Sequence, residues 1–374
     1  MLIIPALLLL FFCLFPYYIY LFGIYFGRKP HPVIPLHAYP YISIIMSAYN
    51  EEQVIEKRIA NIKVCHYPPE QYELLFIDDC SSDNTKNLAK ICLERSGIDY
   101  QIIANTERLG TTRSYNFAIT KAKYPIIVTT DADVFFEPDA LNYLIGRLLS
   151  DEKIAAVTGE LRPLMNTNST TMLEGVYRSF FGRMCDWEST VDSTYNFNGA
   201  IVAFRSDLIK RINDKRGADD ANTAFEAIRK GYRAVYESRS IVYEDIPQSF
   251  IIQYRQKTRR ATGLIEATLS NLDLLGKKTW FCRFFYPLRI FMYILTPALF
   301  FISIILFSLG VFFYKPLLLV ILILVLSGAG ILWRKNLIFA FILNQFYLLS
   351  GLLNLGKDVR VWESTSNKNR SKSS

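Results

Sequence analysis

The stretch PIIVTTDADVFFEP, Pro125–Pro138, decides how this chain is read. Ile126 to Thr130 are β-favouring residues that run directly into Asp131-Ala132-Asp133. On a strand, residues i and i+2 point to one side, so Asp131 and Asp133 are expected to face each other across a small gap. Two unpaired carboxylates that close repel, and one stays protonated unless a cation sits between them. A hard divalent ion such as Mg²⁺ or Mn²⁺ prefers such oxygen ligands. A solvated turn with two polar residues is the plain alternative, because D-x-D is short and common.

Working outward, the flanking sequence alternates strand and helix. YISIIMSAY (41–49) is a β-branched strand, and EEQVIEKRIANIK (51–63) has helical spacing at Val54, Ile55, Ile59 and Ile62. ELLFIDD (73–79) is the next strand. SSDNT (81–85) supplies turn and cap residues before a helix from about Thr85 to Glu94. YQIIAN (100–105), a helix near 111–122 and the strand 125–130 complete the pattern. Such alternation predicts a parallel sheet with helices on both faces, and ligands bind at the carboxyl ends of its strands. Three of those ends are polar here: Tyr49-Asn50-Glu51, Asp78-Asp79 and Asp131 with Asp133. That convergence counts against the solvated-turn reading.

These motifs carry a resemblance. SAYNEE (47–52), FIDDCSSDNT (76–85) and TTDADVFFEP (129–138) resemble the ordered motifs of the family 2 inverting glycosyltransferases, whose fold is GT-A, a Rossmann-like α/β mixed sheet. NGAIVAFRSDLI (198–209) is similar to the family's glycine-containing strand under the acceptor site. ADDANTAFEAIRKGYRAVY (218–236) resembles the segment carrying the catalytic base, and QKTRR (256–260) resembles the Q-x-x-R-W motif of cellulose and hyaluronan synthases. The match covers roughly residues 41 to 263.

The resemblance implies roles. Tyr49, Glu51 and Asp79, with Asp78 beside them, hold the nucleoside. Asp131 and Asp133 hold Mg²⁺ or Mn²⁺ on the donor diphosphate, and Asp220 is the general base. Arg259, with Gln256 and Arg260 beside it, contacts the diphosphate or the acceptor. Each has a plainer reading. Asp78 suits a turn. Acids at 219 and 220 favour a helix N-terminus, so one is expected to cap while the other catalyses. RQKTRR also suits the basic face of an interfacial helix. The chain departs from the family at two places. Arg260 replaces the Trp that packs on the acceptor sugar in processive synthases, which puts processive synthesis in question. Thr111 stands where many relatives have Lys, and Arg113 is the residue able to take over that charge. Trp187 lies where the family often has acceptor-side residues, and a buried Trp near a membrane explains it equally well.

The implied function is sugar transfer from a nucleoside-diphosphate sugar, UDP-linked in preference, to a lipid-linked or growing glycan acceptor. Transfer to a polyprenyl phosphate is a second enzymatic reading, and a non-catalytic GT-A scaffold or transport subunit is a third.

Composition places this chemistry at a membrane. The chain has 374 residues, 51% hydrophobic and 14% aromatic, with the apolar excess gathered at its ends. Met1 to Gly27 carries no charge, and uncharged runs follow Arg289 to Lys315, then to Arg334, then from Asn336 to Gly356. Crossing a bilayer takes about 20 apolar residues, which all but the third run satisfy. The organisation expected is an anchor over 1–27, a linker over 28–40 holding Pro30, Pro32, Pro35 and Pro40, a GT-A domain over 41–283 (interfacial from about 247 to 285), membrane helices over 284–356, and a polar tail. The first run lacks the basic start and small-residue cleavage site of a signal peptide. Arg28 and Lys29 after it place the domain in the cytoplasm, on a multi-pass cell-membrane protein. Six cysteines without a C-x-x-C pair fit a reducing compartment. The net charge of +8 suits anionic lipid. No basic helix interleaved with stacking aromatics is present, so nucleic acid is not an expected partner.

Overall fold

The computed structural model describes residues 2–27, 36, 38–164, 169–214, 217–247, 249–314 and 337–356. Arg28 and Lys29, most of the proline-rich linker, the third apolar run and the polar tail lie outside the described residues.

The alternation up to residue 130 folds as its pattern predicts. β1 (Ile42–Ala48), β2 (Tyr72–Asp78), β3 (Asp99–Ala104) and β4 (Ile126–Asp131) are parallel, in the order β3-β2-β1-β4. α2 (Ile55–Lys63), α3 (Thr85–Glu94) and α4 (Thr111–Ile119) connect them. α2 begins later than the sequence suggests, because residues 52–54 form a turn. Neighbours along a strand are buried on opposite faces: Ile45, Leu75 and Ile127 join one core, and Ile44, Leu74 and Val128 the other. A sheet covered on both faces needs such continuous apolar strands. Registers Ala48↔Asp78, Ser47↔Asp131 and Asp78↔Ala104 bring the carboxyl ends to one rim.

Beyond β4 the sheet is mixed. β5 (Val134–Phe136), α5 (Ala140–Leu149), β6 (Ile154–Pro163), α6 (Ser169–Val191), β7 (Val202–Arg205), α7 (Asp219–Arg229), β8 (Arg233–Glu244) and α8 (Phe250–Ser270) follow in the chain. β7 runs antiparallel to β4 and β6, β8 runs parallel to β6, and β5 closes the far edge antiparallel to β8. The parallel order read from the alternation thus holds for the first four strands, and with β5 to β8 the whole is the mixed sheet that the resemblance implies.

Among the described residues, two helices are long and apolar enough to cross a membrane: α1 (Ile3–Phe26) and the continuous helix Phe281–Phe313. The latter contains π-turns at Phe281–Phe285 and Phe291–Leu295, with α9 (Tyr286–Ile290) between them and α10 (Thr296–Tyr314) after. The last apolar run forms α11, Leu337–Leu353, an apolar helix of 17 residues. α11 lies against the domain. Tyr254 Oη donates to Ser350 Oγ at 3.1 Å, and a Cβ on Gly351 would approach Ala261 Cβ to 2.9 Å.

α1 is pinned by polar as well as apolar contacts. Trp187 packs edge-on to Tyr20 and Phe285, over Gly23, where a Cβ would collide with its ring. Trp187 thus serves the helix junction. Beneath it, Arg289 Nε donates to Glu188 Oε1 at 2.6 Å and Arg289 Nη1 to Tyr293 Oη at 2.9 Å, both side chains of the ion pair being buried. Tyr20 Oη also donates to Glu188, and Tyr293 Oη hydrogen-bonds Asn196 at 2.8 Å. A buried charge is tolerated only when paired and hydrogen-bonded, which this cluster achieves by drawing on α1, α6 and α9 together.

Candidate active site

At the ends of β1 and β2 the loops interlock. Backbone N–H groups of Asn50, Glu51 and Glu52 donate to Ser81 Oγ, Thr85 Oγ1 and Asp83 Oδ2, and Asp79 N donates to Ala48 O at 2.9 Å. This brings Tyr49, Glu51, Asp78 and Asp79 into one patch, as the sequence suggests. Asp79 accepts from Leu109 N (2.9 Å), Gly110 N (3.0 Å) and Asn105 Nδ2 (2.8 Å). A carboxylate gathering backbone N–H groups makes strong bonds, so Asp79 fixes the turn that starts α4. Gly110 caps that helix at φ +79, a conformation that favours glycine. Arg108, missed in the sequence, lies 3.2 Å over the Tyr49 ring centroid and 3.5 Å from Asp79. Asp78 accepts only weakly from Ser81 N at 3.4 Å, and its Oδ1 is buried without a partner among the described residues.

Asp131 is the last residue of β4, and Ala132-Asp133 turn before β5 begins. The two carboxylates therefore meet across a turn and do not alternate along one strand. Arg58 braces this corner from below. It donates to Thr130 Oγ1 (2.8 Å), Asn61 Oδ1 (2.9 Å) and, weakly, Asp131 O (3.4 Å), and stacks over Phe136. Thr130 Oγ1 in turn donates to Ala200 O at 2.7 Å. Beside them a Cβ on Gly199 would sit 3.6 Å from Asp131 Oδ2, filling the space next to the carboxylate.

Asp219 and Asp220 open α7 just behind its N-cap, Ala218, which makes no side-chain bond. Asp220 Oδ1 accepts the Ala221 N–H at 2.7 Å, and Asp219 also takes backbone N–H groups, so both carboxylates serve the helix start. That start is held by α8 as well. Ala218 N donates to Gly263 O at 3.0 Å, and Gly217, at φ +86, would place a Cβ 2.4 Å from Ala267 N. This junction sets Asp219 and Asp220 beside Arg259 and Arg260 on α8. Glu244, also missed in the sequence, ends β8 opposite Val134 and joins α6 to α8: Arg178 Nη2 donates to it at 2.7 Å and Arg260 Nη1 at 3.2 Å.

A cavity of about 680 Å³ joins these parts. Arg113 of α4, Asp131 of β4, Asp219 and Asp220 of α7, Arg259 and Arg260 of α8, and Glu244 of β8 all line it. Tyr49, Glu51, Asp78, Asp79, Asp133 and Gln256 do not appear in its described wall. Gln256 is buried within α8, so the contact expected for it is not made by the cavity surface.

The electrostatics fit a cation and a base. Burial, then Asp133, raises Asp131 well above the usual carboxylate range. Burial, then Glu244, pushes Asp133 up to about 6. Both carboxylates thus gain from a divalent ion. Among the described residues no cluster of three or more His, Cys, Asp and Glu is placed to hold a metal. Two carboxylates completed by substrate phosphates is an arrangement Mg²⁺ commonly adopts, so the residues present fit that role. Burial, then Asp219, pushes Asp220 up to about 7. A base poised there can take a proton near neutrality. Glu244 is held low: burial alone would raise it, but Arg260 and Arg178 outweigh that.

Comparison with known proteins agrees with this geometry. Residues 43–211 match the model of Glycosyl transferase family 2. A poly-beta-1,6-N-acetyl-D-glucosamine synthase of Staphylococcus aureus is 24% identical over 298 residues, 79% of this chain and 70% of that protein. A probable glycosyltransferase of Bacillus subtilis, YdaM, is 26% identical over 234 residues, 60% of this chain and 55% of its own. The mannosyltransferase PcManGT of Pyrobaculum calidifontis, solved with GDP-Man and Mn²⁺, superimposes with a TM-score of 0.80 at 22% identity, over 95% of this chain and 98% of that one. At that identity it establishes the fold, which is GT-A. Residues 43–211 are a glycosyl transferase family 2 domain, and the chain is a glycosyltransferase.

Proposed function

We propose that the chain transfers a sugar, with inversion, from a nucleoside-diphosphate sugar to a lipid-linked or growing glycan acceptor at a membrane. The observation that carries this is the single cavity shared by Asp131, Asp220 and the arginines Arg113, Arg259 and Arg260. A metal-side carboxylate, a base and diphosphate-binding cations are what such a transfer requires. Tyr49, Glu51, Asp78 and Asp79 hold the nucleoside, and the orphan Asp78 Oδ1 is an acceptor free for its N–H or hydroxyl donors. Arg108 covers Tyr49 and must shift, or share the ring, when a base stacks there.

Asp131 and Asp133 hold Mg²⁺ or Mn²⁺; when bound, the ion offsets charge gathering on the leaving diphosphate. Arg113 and Arg259 orient that diphosphate. Arg260 is committed to Glu244 and acts chiefly by holding α8 against β8. The acceptor hydroxyl approaches the anomeric carbon from the face opposite the diphosphate. Asp220 removes its proton as the new C–O bond forms and the bond to the diphosphate breaks.

The apolar helices make the protein a membrane protein in this reading, multi-pass, with Arg28 and Lys29 keeping the catalytic domain cytoplasmic. The S. aureus relative's product is a reason to test UDP-linked N-acetylglucosamine first. Membranes containing the chain are incubated with a panel of labelled nucleotide sugars and Mg²⁺ or Mn²⁺. Incorporation of one sugar into glycan or lipid, lost on chelation, is expected. Failure of every donor, or full activity in excess chelator, contradicts this reading or its metal.

A further inference from the structure

Arg289 stands inside the apolar helix Phe281–Phe313, fully buried, between its two π-turns. A charge inside such a helix is costly and faces the protein interior with a partner. A π-turn inserts one extra residue, re-aims the side chains around it and often marks a functional site. Tyr293, also buried, lies in the second of them.

The guanidinium is held on every side. Beyond its bonds to Glu188 and Tyr293, the ring centroids of Tyr20 and Phe181 lie 4.8 and 5.0 Å from its carbon. Asn196 completes the set. Guanidinium nitrogens only donate, so the Asn196 amide turns its oxygen to them and accepts from Nε, Nη1 and Nη2 at 3.0–3.3 Å. Its amide nitrogen then donates to Tyr293 Oη at 2.8 Å. Both lone pairs of Oη are thus taken, one by Arg289 and one by Asn196, and the hydroxyl proton is left over. Among the described residues its acceptor in reach is the Asn196 oxygen at 3.2 Å, which already receives three guanidinium contacts. Tyr293 and Asn196 both line the main cavity, and Asn196 begins the wall that runs through Asn198 to Gly199 beside Asp131. Glu188 also accepts from Tyr20 Oη, which ties the set to α1.

We infer that Arg289 is a positioning residue. It makes the Tyr293 hydroxyl an oriented hydrogen-bond donor on the cavity wall, for an oxygen of the acceptor, while Tyr20 and Glu188 hold it from α1 and α6. The apolar helix α1 thereby belongs to the active-site wall. The ligand named here follows from the sugar-transfer reading; the relay itself stands on geometry.

Three variants separate this role from a structural one. Arg289→Lys keeps the charge for Glu188 and lacks the fork that reaches Tyr293 and Asn196. Tyr293→Phe removes the hydroxyl alone. Tyr20→Phe loosens the set from α1. Hydrogen exchange by mass spectrometry on the full-length chain in nanodiscs needs no turnover. Arg289→Lys and Tyr20→Phe should speed exchange at residues 194–198 about three- to tenfold, with residues 105–115 as in the native chain. Transfer is then followed in membranes, onto their endogenous acceptor, from labelled UDP-N-acetylglucosamine or the panel donor that is incorporated. Arg289→Lys and Tyr293→Phe should each lower transfer at saturating donor about tenfold, with donor affinity unchanged. The double variant should fall no further than the worse single one. Native transfer in Arg289→Lys would mean an ion pair that only holds helices together, and overturns the inference. An additive double variant does the same, as does exchange that quickens evenly through the domain. Should Arg289→Lys not fold, Tyr20→Phe decides by exchange and Tyr293→Phe by transfer. If no donor is incorporated while exchange responds as stated, the sugar-transfer reading fails and the relay stands.

Discussion

Along β1 to β4 the carboxylates are held by their own loops, whereas along β5 to β8 they are held by helices from distant parts of the chain. The Asp79 carboxylate accepts from the backbone of residues 109 and 110, and the Glu51 backbone N–H donates to Thr85 Oγ1, all inside one alternating segment. Asp219 and Asp220 depend on Gly217 meeting Ala267, and Glu244 on Arg178 and Arg260. The first half, the proposed donor half, is built locally and can hold its shape without the long apolar helices. The second, the proposed acceptor half, is completed by α8 and α11, so its geometry and the packing of its apolar helices are one problem.

The largest effect should fall on the acceptor half. Asp220→Asn keeps shape but removes the proton acceptor, so transfer at saturating donor should drop by about 10²–10⁴, with donor affinity preserved. Near-normal turnover would place the base elsewhere. Glu244→Gln leaves the cations Arg178 and Arg260 with too little buried charge. Thermal denaturation in detergent should show a loss of about 3–5 kcal/mol, against little change for a surface carboxylate such as Glu70. Gly217→Ala must adopt φ +86 and push a Cβ into α8; about 1–3 kcal/mol of stability should go, with transfer falling more than donor binding. If donor binding falls equally, the two halves are not separable. Smallest is Arg108→Ala on the donor half, where donor affinity measured by titration should change by only about 0.5–2 kcal/mol with no change in the transfer step.

The same contrast explains what the sequence revealed. The unbroken apolar run Ile44 to Met46 and helical spacing at Ile55, Ile59 and Ile62 are local signals, and β1 to β4 follow them closely. Asp131 and Asp133 were legible as a pair, though the turn between them was not, because a three-residue strand such as β5 gives too little periodicity to see. Arg58 was missed although it lies on the buried stripe of α2 between Ile55 and Ile59; a cation at an apolar position was the available signal. Glu244 follows Val242 by two on β8, and both are buried, so the alternation that flagged Asp131 could have flagged it too. The antiparallel turn of β7 and the lie of α11 on α8 come from long-range packing. Nothing in a local window encodes them.

The central claim is that Asp220 takes the proton of the acceptor hydroxyl, and the rate of transfer against pH tests it most directly. The measurement is single-turnover transfer with donor and metal saturating, from pH 5 to 9. A buried carboxyl raised to about 7 must be deprotonated to act, so the rate should climb with unit slope below about pH 7 and level off above it. Asp219→Asn removes the neighbouring negative charge that helps raise Asp220, so the rise should move to lower pH while the plateau survives. A rate flat across this range in the native chain, or a rise that stays in place when Asp219 loses its charge, would contradict the assignment.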